Sequence, residues 1–574
     1  MKTKSLTLIA GLAMTVASQA AITTTGGFYG SPSSTDTWVG FGSNSTLLIN
    51  GDSDYATDAF SVGYSAEVSG TATVTGIGST LTTNRTVVIG YQGIGALNIL
   101  NGGVVTSNGI PTSYGITLGS ASGSSGSVLV DGSGSQWYIP SLNMGLGVNT
   151  GSSGSLTVRN GGNVTFGTGS LNVYNGTLLV TGAGSTLNTL SSLQFNIGDG
   201  TATISAGGVF NSAGNNGGSN VIGSFLDQTG SMLVTGAGSQ WNVVGNLYVG
   251  ARGGTGTLTV ADGGVVSVST SGTANADGTG FASIAGDGIL SLGYQAQSSN
   301  PGAQPSTGTL SIGAGGAAGR LNVAEVYGYY ATGTPAYPAA VATLVFNHNE
   351  TGYAFTNAAD EGILISGTTK VVNEAGTTVL TAASTYFGGT EITGGKLIVN
   401  NTTGSGTGTG AVTVGADGTL GGYGTIGGLT TISTGGHLAP GTSPGTLTFA
   451  NGLALEDGAI LDLELGTLSD LIRITGGTLS GVLDGEITLN LIDSGGFAAG
   501  TYTLIDFTGA DIANLSAASF RFGSIIGGYA YEISLEGNQF LLTAAAVPEP
   551  STGLLAGLAA AVLLLFRRRR PRWR

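Results

Sequence analysis

Cysteine is absent from the 574-residue chain, and histidine occurs only twice, at His348 and His437. The first absence removes disulfide frameworks, thiolate metal sites and cysteine catalysis, without by itself fixing the redox compartment. The second leaves little of the commonest acid–base side chain. Charge is scarce too: 8% of residues are charged, against about a quarter in ordinary globular chains. Val, Ile, Leu and aromatic residues stay plentiful, so a disordered linker does not fit. Glycine is abundant, at 106 residues, with no three-residue collagen period. β-Branched residues punctuated by glycine predict many short strands joined by tight turns.

The few basic residues are unevenly placed. Lys2 and Lys4 stand at the start, and six of the 16 lie between Arg567 and Arg574. The stretch between holds eight basic residues against all 31 acidic ones, a net of −23. Phosphate binding needs a basic footprint, which excludes nucleic acid as a partner. Acidity this dilute reads as a solubility device.

Both ends read as addresses. Met1-Lys2-Thr3-Lys4, an apolar run from Leu6 to Ala17 and Ser18-Gln19-Ala20 have the three parts of a Sec signal peptide. That implies a signal helix handled by the Sec translocon and a cut between Ala20 and Ala21. At the other end, Val547, Pro548, Glu549, Pro550 and Ser551 precede an apolar stretch from Thr552 to Phe566, then Arg567, Arg568, Arg569 and Arg570. Fifteen helical residues rise about 22 Å, short of the ~30 Å hydrocarbon thickness. Snorkelling arginines narrow that gap and, by the positive-inside rule, stay cytoplasmic. This tail resembles the PEP-CTERM sorting signal, in which such a motif, one transmembrane helix and an arginine cluster follow in that order. The resemblance implies an inner-membrane precursor in a Gram-negative cell, whose tail is removed by an exosortase. A plain anchor behind a proline-rich hinge is the alternative.

Between the ends the chain repeats itself. Copies begin at Val74-Thr75-Gly76-Ile77-Gly78-Ser79, Val130-Asp131-Gly132-Ser133-Gly134-Ser135, Val180-Thr181-Gly182-Ala183-Gly184-Ser185 and Val234-Thr235-Gly236-Ala237-Gly238-Ser239. Their leading glycines, Gly76, Gly132, Gly182 and Gly236, set a repeat of about 50 residues. Trp137 and Trp241 stand where the other copies carry Leu81 and Leu187. An apolar-Gly step follows (Ile89-Gly90, Met144-Gly145, Ile197-Gly198, Val249-Gly250), then a Gly-Gly pair (Gly102-Gly103, Gly161-Gly162, Gly207-Gly208, Gly263-Gly264). Period-two alternation in segments such as LTVRNGG (156–162) points alternate side chains inward, and glycine pairs make the corners. A single turn of such a coil cannot bury its apolar face, but stacked turns can. With about 20–25 residues per rung, roughly 20–25 rungs and a rod of about 100 Å are expected.

These copies resemble the repeat shared by type V secretion passengers and PEP-CTERM proteins. Tyr386-Phe387-Gly388-Gly389-Thr390 with Gly394-Gly395-Lys396-Leu397 resembles the passenger-associated transport repeat of autotransporters. The second resemblance implies a right-handed parallel β-helix outside the cell. No run of amphipathic membrane strands follows, so the resemblance carries the passenger architecture without its barrel. The expected organisation is a signal peptide (1–20), an N-terminal cap and first rungs (21–70) and the first repeat family (71–270). An irregular solenoid with loop insertions (271–384), transport repeats (385–450), a β-rich region (451–545) and the sorting signal (546–574) follow. The expected fold is all-β, a long right-handed parallel β-helix with one signal helix and one C-terminal transmembrane helix.

Chemistry is sparse. Gly441-Thr442-Ser443-Pro444-Gly445 matches G-x-S-x-G, but no helical period and no histidine follow Ser443, as a nucleophile elbow requires. Gly404 to Gly410 lacks the helix N-terminus and lysine of a phosphate loop. Asp52, Asp54 and Asp58 lack the glutamate that closes a calcium loop. Asp360, Glu361, Glu374 and Glu391 are the carboxylates a β-helix polysaccharide lyase or glycosidase could stack across rungs. Tyr327, Tyr329, Tyr330 and Tyr337 form the one local aromatic concentration, read as a loop insertion between rungs or as a sugar contact. The expectation is a structural or adhesive protein of the cell surface or extracellular matrix, not an enzyme, with no cofactor or metal. Extracellular polysaccharide is its candidate external partner. The alternative is a carbohydrate-active enzyme on the same scaffold.

Overall fold

The computed structural model describes residues 21–31, 34–109, 115–189, 194–214, 219–272, 285–294, 304–329, 340–548 and 559–565. The fold is all-β, 57% strand, with large parallel sheets as in a β-solenoid. The chain divides into two compact units, residues 1–348 with 356–363 and 367–369, and residues 349–355 and 364–366 with 370–574.

In the first unit each turn lays one strand on each of three faces. Ser69–Thr75, Thr80–Thr83 and Val87–Ile89 form one turn, and Ile94–Leu100, Val104–Ser107 and Ile116–Leu118 the next. Like strands pair in parallel. On the first face Val74, Ile99, Val130, Val158, Val180, Ile204, Val234 and Val260 stand in register. Their numbering makes a turn roughly 20–30 residues long, within the ordinary range of solenoid repeats. Each sequence repeat is therefore two turns. The turn from Val260 to Ile312 is far longer than its neighbours because an insertion interrupts it. Eleven parallel first-face strands run from Ser45–Asn50 to Val341–Asn347. Ala21–Gly26 closes the open edge of the first of them in antiparallel register.

The corners explain the glycines. In one type of turn, Asn101, Asn160, Ala206 and Asp262 adopt φ of 51–53°, and the following glycines 77–87°. The second glycine of each pair then passes against the backbone of the turn before it. A Cβ on Gly103, Gly162, Gly208 or Gly264 would lie 2.5 Å from the carbonyl oxygen of Val74, Val130, Val180 or Val234. In the other type, the serine of Gly-x-Gly-Ser ties successive corners together. Ser135 Oγ donates to Asp131 O (2.7 Å) and accepts from Gly102 N (3.0 Å); Ser185 does the same with Thr181 O and Gly161 N. Ser79, Ser135, Ser185 and Ser239 are fully buried, so these bonds replace water lost on folding.

The core is a set of inward columns one side chain wide. Leu81, Val105, Trp137, Val164, Leu187, Phe210 and Trp241 stack in register on the second face. Both tryptophans are fully buried, and each indole N–H donates to a serine hydroxyl, Trp137 to Ser107 (3.1 Å) and Trp241 to Ser212 (2.9 Å). The repeat alignment needs one correction: the residue level with Ile89, Ile197 and Val249 is Leu146, not Met144. Met144 and Leu146 sit two apart and both point inward, so alternation alone cannot tell them apart.

The second unit coils likewise. Leu397, Leu420, Leu438, Leu461, Leu489 and Phe522 form one ladder. Its turns are uneven, shortest between Leu420 and Leu438 and longest between Leu489 and Phe522. Seven first-face strands run from Lys370–Ala375 to Asp511–Ala513. The hairpin Tyr529–Glu536 and Gln539–Ala546 then packs antiparallel on Gly500–Asp506. Eleven and seven turns among the described residues fall short of the roughly 20–25 expected, because corner insertions lengthen individual turns. The signal helix (1–20) lies outside the described residues. In the tail only residues 559–565 are described as helix, and no helix among the described residues is long and apolar enough to cross a membrane.

Candidate functional site

The two expected processing points abut folded strands. Ala20 lies outside the described residues, whereas Ala21 is the first residue of the capping strand, paired with Asn50. At the other end, Val547 directly follows the last strand and donates its amide hydrogen to Gly528 O at 2.9 Å. Val547 and Pro548 are exposed. Glu549, Pro550, Ser551 and Arg567, Arg568, Arg569 and Arg570 lie outside the described residues. The motif thus begins where the body's hydrogen bonding ends.

A cleft of about 390 Å³ opens on the outer side of the second unit. Lys396, Thr419, Asp462, Glu464 and Ile492 line it from outward positions of strands whose alternate residues, Leu397, Leu420, Leu463 and Leu491, fill the core. The turn Gly441–Gly445 and Asp470 flank it. Ser443 adopts φ 123° there, a strained value for a residue with a side chain. Asp470 is 1% exposed. Its Oδ1 accepts Gly445 N and its Oδ2 accepts Glu464 N, both at 2.8 Å, so it fastens two loop backbones. Burial pushes its carboxyl up to about 6 despite those bonds. Glu464 Oε2 is cut off from solvent and, among the described residues, has no hydrogen-bond partner.

Beside the cleft, His437 Nδ1 and Asp462 Oδ2 stand 2.6 Å apart, and Asn490 Nδ2 donates to Asp462 Oδ1 (2.7 Å). This chain crosses three successive turns. It engages His437 with Asp462, and among the described residues no hydrogen bond joins His437 to Ser443. Sequence reasoning passed over Asp462 and Asp470. The signal for Asp462 is its place one turn after His437 on the neighbouring strand of the ladder.

The other candidates are scattered. Asp360 and Glu361 belong to the first unit, Glu374 and Glu391 to the second. Glu391 pairs with Lys370 at 2.8 Å on the surface, and Glu361 accepts from Asn357 Nδ2. Asp54 accepts the Thr80 hydroxyl. Gly404 to Gly410 forms a corner held by Ser405, whose Oγ donates to Gly408 O (2.7 Å). Tyr329 meets Tyr294 edge-on at 5.0 Å, and Tyr294 stacks on Tyr248 at 4.1 Å; Tyr330 and Tyr337 lie outside the described residues. A second external stack, Tyr29–Trp38–Tyr64–Tyr91, has centroids 4.6–5.1 Å apart. Phe41, Tyr64 and Tyr91, each two residues after the register partners Val39, Val62 and Ile89, recur one turn apart, a signal visible once the period is known.

Asp470 gives a sign to the pH response. Its folded pKa lies above the ordinary 3.8, so the folded chain binds the extra proton. That contribution is fully present below about 3.8 and is lost as pH rises through about 6. Between pH 7.5 and 5 the second unit should gain about 1.4 kcal/mol, a rise of several degrees in melting temperature. Asp470→Asn should remove this difference; an unchanged slope in the variant would assign it to another group.

Two comparisons bear on this arrangement. Residues 546–570 match the PEP-CTERM protein-sorting motif. The chain is also 30% identical over 383 residues to the adhesin BmaC autotransporter of Brucella suis biovar 1 (strain 1330), covering 58% of this chain and 10% of that protein. The match thus spans about a tenth of the relative's length.

Proposed function

We propose that the chain is an exported structural or adhesive protein of the cell surface or extracellular matrix, released from an inner-membrane precursor by exosortase cleavage of its tail. The observation that carries this reading is the sorting motif, matched at 546–570 and starting at the final residue of the last strand. In this reading residues 1–20 are a Sec signal helix cut before Ala21, Thr552 to Phe566 form the transmembrane helix, and Arg567–Arg570 hold it from the cytoplasm. Its organisation is then cap, first repeat family to 270, irregular region to 384, transport repeats to 450 and β-rich region to 545. The coil is right-handed, since crossovers between parallel strands of one sheet have that hand in about 98% of cases. The adhesive role is supported by the printed description of the relative as an adhesin.

The carboxylates of the cleft favour a second reading, a polysaccharide lyase or glycosidase. Against it, both oxygens of Asp470 face backbone amides, and His437 is engaged by Asp462. We therefore favour the structural or adhesive reading over the enzymatic one. Antibody against the body should label intact host cells, and external protease should strip the label. Labelling only after lysis would contradict export.

A further inference from the structure

The first unit leaves one end of its stack open. Ala21–Gly26 pairs along one edge with Ser45–Asn50, and among the described residues no strand pairs with its other edge. Thr23, Thr24 and Thr25 are exposed, and Ile22, level with the fully buried Ile49, is 36% exposed. On the second face Phe28–Tyr29 is outermost and pairs with Val39 and Trp38. Tyr29 ends the external aromatic column there and is 54% exposed; Phe41, beside it, is 44% exposed.

An unpaired strand offers its N–H and C=O groups to any extended chain, and charge, proline or a bulge ordinarily blunts such an edge. Ala21–Gly26 has none of these, and its register with Ser45–Asn50 is unbroken. From Ala21 to Gly51 the only charged residue is Asp36. The edge strand of the C-terminal hairpin, Tyr529–Glu536, is built the other way, with Glu532 and Glu536 exposed.

That contrast selects the partner. A strongly acidic or basic macromolecule would find almost no charge to pair with at this end. A second copy of the chain, whose body sets eight basic residues against 31 acidic ones, is repelled over most of its surface and least here. Antiparallel pairing of a strand with its own copy obeys a two-fold axis, and the same axis brings the exposed Tyr29 of each copy to the contact.

We infer that the N-terminal end is a self-association surface, at which two copies join edge to edge through Ala21–Gly26 into a closed dimer. The inference rests on the cut proposed before Ala21, which frees that strand.

The test is sedimentation equilibrium on the protein purified from its host, with intact mass measured on the same sample. The mass should place the first residue at Ala21. Sedimentation should fit a monomer–dimer equilibrium with a Kd of about 100 µM or less, weak because one short strand and a few rings make a small interface. No larger species should form, since a two-fold contact closes on itself. Raising salt from about 0.05 M to about 0.5 M should tighten the dimer by screening the acidic bodies from each other. Thr23→Glu combined with Thr24→Glu places like charges across the axis and should weaken it at least about tenfold. Tyr29→Ala should weaken it at least about threefold and keeps the test open if the glutamates unfold the cap. Leu483→Glu, at a residue 73% exposed on the second unit, should change nothing. A protein that begins at Ala21 and stays monomeric at about 300 µM, a dimer weakened by salt, or full affinity in both N-terminal variants would overturn the inference. Residues retained before Ala21 would overturn the cut and the inference with it.

Discussion

Replacing Gly208 by alanine is expected to destabilise the first unit by about 3 kcal/mol or more. The added Cβ would lie 2.5 Å from Val180 O, 2.8 Å from Val180 C and 3.1 Å from Thr181 N. All three are backbone atoms of the preceding turn, so no side chain can swing aside. Relief requires the two turns to separate, which breaks Val209 N to Ser185 O (3.0 Å) and Gly182 N to Ser205 O (3.2 Å). Each turn contacts mainly its neighbours, so the damage should spread along the stack from that corner. Gly123→Ala is the control. Gly123 has φ +81° but nothing within 4 Å of an added Cβ, so only backbone strain of about 1–2 kcal/mol is expected. Urea unfolding followed by far-UV circular dichroism gives the two costs. Hydrogen exchange should show lost protection at Val180, Ile204 and Val234 in the Gly208 variant. Equal costs would mean that the corners do not stack at ladder spacing.

The strands and corners were legible because their signals are local. LTVRNGG alternates at period two and ends in glycines, and the structure places Leu156 and Val158 inside and Asn160-Gly161 in a left-handed corner. The phase within a strand was less legible, as Met144 and Leu146 show, since a shift of two residues keeps the same face inward. The length of a turn was misjudged because an insertion such as that between Val260 and Ile312 leaves the ladder register untouched. The cleft was not legible at all. Lys396 and Ile492 are far apart in the chain, and only the stacking of their strands in successive turns brings them onto one side. Asp470, in the stretch Thr467 to Leu471, reads as an ordinary polar loop residue; its burial follows from where Gly445 and Glu464 present their amides.

The second large effect concerns the tail. On the sorting reading proposed above, Pro548 and Pro550, which lack amide hydrogens and resist helix, would hold the recognition segment in the extended form that a protease cleft reads. The last strand ends at Ala546 and the Val547 amide is bonded to Gly528, so the body offers no slack before the motif. Alanine at Pro548, Glu549 and Pro550 should let the following helix grow towards the hairpin and conceal the cut. The apolar stretch and its arginines are untouched, so the precursor should still insert. Body stability should be unchanged, because Val547 and Pro548 are exposed.

The most direct test of export and sorting is therefore a blot of membrane and surface fractions from the native host, with antibody against the body. Wild type should appear shortened in the surface fraction, and the triple-alanine variant full-length in the membrane fraction. Both proteins at one size in one fraction would contradict tail-directed sorting and leave a plain anchor.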